Sequence, residues 1–71
     1  MSVLEAVARA QLNKGGTLGR LGRKQEAIAL YDDVITRFGS TTESPLREMV
    51  TEASAKKERE ETLLKKSSGT P

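Results

Sequence analysis

Between Gly15 and Lys24 the chain sets four glycines and three cations in the order GGTLGRLGRK. Glycines that let a backbone wrap an anion, with Arg20, Arg23 and Lys24 beside them, are the ingredients of a phosphate-binding loop. The spacing argues against one. A P-loop ends in Gly-Lys-Ser/Thr and a dinucleotide fingerprint reads Gly-x-Gly-x-x-Gly, each after a buried strand, and no strand-like run precedes Gly15. These glycines are read instead as points where helices touch.

Asp32-Asp33 is the only adjacent pair of carboxylates outside the charged C-terminal run, which invites a metal or acid/base reading. Neighbours on a helix diverge by about 100°, so the two side chains do not converge on one ion, and Arg37 at the next turn would repel it. The chain has no cysteine and no histidine, which removes thiolate and imidazole ligands as well as the usual nucleophiles and bases. Serine, lysine and carboxylates remain, without a recognisable catalytic arrangement. The expectation is no enzyme, no metal and no cofactor.

Arg9, Lys14, Arg20, Arg23 and Lys24 form a moderately concentrated basic cluster. Nucleic-acid binders usually add aromatics or a reading helix to a larger basic surface, and both aromatics here, Tyr31 and Phe38, fall on a core face. A solvated or partner-pairing surface is the expected reading, with a small nucleic-acid or anion binder as the alternative.

The elements that carry these residues are helical. Ser2 followed by Glu5 fits a capping box, so a first helix is expected over about 2–21, with Val3, Leu4, Val7, Leu18 and Leu21 as its apolar positions and Ala6, Ala8 and Ala10 as close-packing sites. Each of Gly15 and Gly16 costs about 0.8 to 1 kcal/mol relative to alanine inside a helix. They are read as tolerated, because Gly15 and Gly19 lie one turn apart and would admit a neighbouring backbone, with Gly22 as the turn. From residue 23 to 38, Ala27, Leu30, Tyr31, Val34, Ile35 and Phe38 recur at three- and four-residue steps beside Ile28, a clear amphipathic helix. Gly39 is expected to close it with a positive φ. Ser44-Pro45 then reads as an N-cap and first helical position, opening a third helix over about 45–66.

Leu46, Met49, Val50 and Ala53 give the third helix an apolar face, and burial is expected to stop near Ala55, where the run KKEREE begins. That extension is expected to continue in solvent, supported by pairs such as Glu52 with Lys56 and Glu61 with Lys65. Residues 67–71 are read as a disordered tail after a single helical domain over 1–66. At 71 residues the chain buries only roughly 60% of its unfolded surface, so help from a partner is expected. The formal net charge is +2, but residues 1–24 hold five cations against Glu5, residues 25–55 hold six anions against Arg37 and Arg47, and the remainder turns positive again. Such blocks are suited to pairing across helices. No apolar run approaches the roughly 20 residues of a membrane span and the start does not read as a signal peptide, so a cytoplasmic protein is the expectation.

Sliding the chain on itself by about 43 residues places Val3 on Leu46, Val7 on Val50, Ala10 on Ala53, Leu12 on Ala55 and Lys14 on Lys57. The third helix therefore reads as the first helix of a second repeat. Glu58 and Arg59 replace Gly15 and Gly16, as suits a terminal unit.

With Gly15 in the first helix, Gly22 at the turn, and Ala27 and Tyr31 in the second helix, the segment Gln11 to Gly39 resembles the tetratricopeptide repeat family. Leu18 stands for the family's tyrosine and Tyr31 for its phenylalanine. Gln11, Lys14 and Gly39 depart from its tryptophan, leucine and proline, and the repeat is longer than the usual 34 residues. The resemblance implies an all-α fold in which the first helix lines a groove that accepts a peptide or a helix. It implies Arg9, Leu12, Asn13, Gly16 and Arg20 on that surface, with Asn13 as a backbone hydrogen-bonder and Arg9 and Arg20 favouring an acidic ligand. Leu12 is either an exposed apolar anchor there or ordinary core. The expected function is a non-catalytic protein–protein interaction module or small helical scaffold, binding a peptide, a helix or a second copy as a homodimer.

Overall fold

The computed structural model describes residues 3–68 and is all-α: a hairpin of α1 (Val3–Arg20) and α2 (Lys24–Phe38), followed by α3 (Ser44–Ser68). Each helix runs antiparallel to the one before it. The molecule is elongated, 46 × 20 × 13 Å, because α3 with its 25 residues sets the long axis. α2 lies between the other two and carries most of the packing, touching α1 along one side and α3 along the other.

The turn between α1 and α2 is set by Gly22. Its φ of +83° is a left-handed conformation that glycine adopts without strain. Around it, Arg23 N–H donates to the Leu18 carbonyl at 2.9 Å and Gly22 N–H to the Gly19 carbonyl at 3.1 Å, the paired bonds of a Schellman ending. As expected, the helix tolerates Gly15-Gly16, and α1 runs through both.

Gly39 departs from expectation. Its φ of −63° and ψ of −25° are right-handed helical, so it does not close α2 by a positive φ. Glycine is needed there for space, since a Cβ at 39 would collide with the Ile35 carbonyl oxygen. α3 also begins one residue earlier than expected. Arg47 N–H donates to the Glu43 carbonyl at 2.9 Å, which puts Ser44 inside the helix and Pro45 at its second position, where a missing N–H is still not felt. At the other end the helix continues to Ser68, past the start of the expected tail, while Ser2 of the capping box and residues 69–71 lie outside the described residues.

The core consists of Ala8, Leu12 and Leu18 from α1, Ala27, Tyr31, Val34 and Phe38 from α2, and Leu46, Met49 and Ala53 from α3, with Leu30, Ile35 and Val50 packed on it. α2 and α3 use the faces expected of them. α1 does not: Val3, Leu4, Val7 and Leu21 are exposed, Val3 at 79% and Leu21 at 67%, and of its five expected apolar positions Leu18 alone is buried. α1 instead buries Ala8, Leu12, Gly15, Leu18 and Gly19, three small residues and two leucines. The physical reason is the Tyr31 ring, which lies so close to α1 that a Cβ at Gly15 would stand 2.6 Å from Tyr31 Cε1. A face of bulky side chains would hold the helices too far apart for that ring.

Candidate functional site

Charges tie α3 to the hairpin on both flanks. Arg9 of α1 donates to the Glu52 carboxylate at 3.3 Å, Lys57 donates to Asp32 of α2 at 3.0 Å, and Lys24 of α2 donates to Glu60 at 3.2 Å. Lys24 also reaches the Gly19 carbonyl at 3.5 Å, a second donor to the oxygen that accepts from Gly22 N–H at the end of α1. The Glu60 carboxylate lies against Gly19, where any Cβ would collide with it. The expectation of a charged extension in solvent is thus corrected. Beyond Ala55, Lys57, Glu60 and Leu64 are half-buried, and the helix stays on the hairpin because its charges meet partners at three- and four-residue steps.

The adjacent carboxylates turn to different helices. Asp32 accepts from Lys57 of α3, whereas Asp33 accepts from Gln11 Nε2 of α1 at 2.6 Å and from Arg37 Nε at 3.3 Å. Among the described residues no group of three acidic side chains converges as a metal-ligand set would.

Of the residues expected on a binding groove, Leu12 is 2% exposed and belongs to the core built by all three helices, so the exposed-anchor reading is corrected. Arg9 is committed to Glu52. Asn13 is exposed, and its carbonyl accepts from the Thr17 hydroxyl. Gly16 and Arg20 do line a cleft, of about 370 Å³ between α1 and α3, together with Gly19, Lys24, Lys56, Arg59, Glu60 and Leu63. Lys56 and Arg59 were not legible as part of a site, because a charge run with no apolar residue reads as solvated. Their three-residue spacing, with Leu63 one turn on, is the signal that places them together.

Tyr31 is buried, with its hydroxyl 3.9 Å from where a Cβ at Gly16 would stand. Its pKa is raised above the ordinary tyrosine value, first by burial, then by the negative charge of Glu60 and Glu52 against an opposing effect of Arg20 and Arg59. Lys57 is raised as well, by its hydrogen bond to Asp32 and the charge of that carboxylate.

The other exposed feature lies on the far side of α1. At about 100° per residue, Val3, Val7, Ala10 and Leu21 fall on one stripe, turned away from the core face of Ala8, Leu12 and Gly19. Next to it a shallow apolar groove between α1 and α2 is lined by Leu18, Ala29 and Leu30 and rimmed by Lys14, Glu26 and Asp33. The sequence reading missed this surface by assigning its residues to the core. No described helix is long and apolar enough to cross a membrane. No protein-family model, curated protein or solved structure matches this chain.

Proposed function

We propose that this chain is a non-catalytic protein–protein interaction module, which docks through the outer face of α1 on a helical partner or on a second copy of itself. The observation that carries the reading is the exposure of Val3, Leu4 and Val7 on α1 and of Leu21 just after it, where the described residues bury only ten apolar side chains. Removing such surface from water is worth about 25 cal/mol per Å², a large term for a domain this small. The resemblance to tetratricopeptide repeats supports it, since Gly15 meets Tyr31 as the family's glycine and aromatic do. Cytoplasmic residence belongs to the same proposal.

Sedimentation velocity across a concentration range tests it. The expected result is a mass that rises above the monomer with concentration and returns to it in Val7→Asp. A wild-type chain that stays monomeric at high concentration removes self-association, and a Val7→Asp chain that associates unchanged removes the α1 face.

The cleft between α1 and α3 favours a second reading, an anion binder, because Arg20, Lys24, Lys56 and Arg59 surround it against Glu60 alone. A single-stranded oligonucleotide is the probe. Binding that weakens steeply with salt and is lost in Arg59→Ala supports this reading, and no binding at low salt ends it.

A further inference from the structure

α3 displays the mate that the outer face of α1 lacks. Shifted by about 43 residues, the apolar positions by which α3 sits on the hairpin, and Lys57, have counterparts on α1, whereas Glu52 and Glu60 fall on Arg9 and Thr17. Leu46, Met49, Val50 and Ala53 are buried or half-buried, and their counterparts Val3, Ala6, Val7 and Ala10 are exposed. Lys57, bonded to Asp32 of α2, corresponds to exposed Lys14, and half-buried Leu64 to exposed Leu21. The reverse also holds. The residues that α1 itself buries, Ala8, Leu12, Gly15, Leu18 and Gly19, fall on Thr51, Ala55, Glu58, Glu61 and Thr62 of α3, all exposed and mostly polar. One helix therefore carries a polar outer face that water satisfies, and the other an apolar outer face in the register of an existing helix contact.

From this we infer that the outer face of α1 takes a helix of the α2 type, seated as α2 is seated on α3. The inference rests on the interaction-module reading and adds the identity of the mate. α2 presents Lys24, Ile28 and Asp32 toward α3: the two charged residues pair with Glu60 and Lys57, and Ile28 shares a groove with Glu58, Glu61 and Leu64. The mate of α1 accordingly has an apolar stripe at three- and four-residue steps and a carboxylate opposite Lys14, where Asp32 stands opposite Lys57. Thr17 replaces Glu60 at the remaining position, so no lysine like Lys24 is required of the mate.

The test is a tandem chain in which a second copy of residues 1–43 precedes the full chain, so that an authentic α2 is delivered to the outer face of α1 in the register of α3. The expected result is one cooperative thermal transition, with a midpoint at least about 5 °C above that of the single chain. Asp32→Lys in the added unit lowers that midpoint, and Lys14→Asp in the following unit restores it. Two separate transitions, or an unchanged midpoint, overturn the inference. The two failures are distinguishable. If Val7→Asp abolishes association of the single chain while the tandem chain gains nothing, the face is an interface for another kind of mate. If the tandem chain gains stability while the single chain never associates, self-association fails and the mate stands.

Discussion

Gly15 and Gly16 are neighbours with opposite duties, and substitution separates them. A Cβ at Gly15 would meet the buried Tyr31 ring at 2.6 Å, whereas at Gly16 the nearest atoms, of Arg20 and Tyr31, are 3.9 Å away. Gly15→Ala is therefore expected to destabilise the chain by about 1–3 kcal/mol through overpacking. Gly16→Ala is expected to stabilise it by up to about 1 kcal/mol, because alanine loses less backbone freedom in a helix. Denaturant midpoints of the two variants check the pair. Equal effects would mean that the ring does not set the helix separation.

Tyr31 supplies a second reading of the same contact. It is the only tyrosine in the chain, so tyrosinate absorbance reports it alone. Burial raises its pKa in the folded state, so the unfolded chain loses this proton first as pH rises. The neutral ring's contribution is then fully present below about pH 10 and is lost as pH climbs through the folded value. The native chain is expected to titrate above the value found in denaturant. Coincident titrations would contradict the burial of the phenol.

The three helices differ in what holds them. α2 has a single apolar face and α3 a short one, and both were legible in the sequence because three- and four-residue steps point one way. α1 has two apolar faces, and periodicity alone does not choose between them. The choice falls on the face that carries Gly15 and Gly19 because the Tyr31 ring and the Glu60 carboxylate need room there, facts about α2 and α3 that no reading of α1 contains. The charge blocks were read correctly as suited to pairing across helices, but which charges meet depended on how α3 lies. The path of α3 beyond Ala55 rests on polar contacts, and Lys24–Glu60 is the most sheltered of its ion pairs. Glu60→Ala is expected to cost about 1 kcal/mol and to raise amide exchange selectively from Glu60 to Lys66. Unchanged protection there would mean that helix propensity, not the hairpin, orders this end.

Taken together, the molecule is finished on one side and unfinished on the other. α3 turns Thr51, Glu58 and Glu61 to water, and α1 turns Val3, Val7 and Leu21 to water. The candidate site was only partly legible: Gly16 and Arg20 do line a cleft, whereas Leu12 is core and the apolar face was hidden by being mistaken for core. Because the chain contains no cysteine, single cysteines map its working surface cleanly. Thiol labelling of Val7→Cys and Thr51→Cys, each followed from dilute to concentrated protein, is the decisive measurement. The expected result is that labelling at position 7 slows as the chain associates while labelling at position 51 does not. Protection at 51 with free access at 7 would contradict the outer face of α1 as the surface through which this protein works.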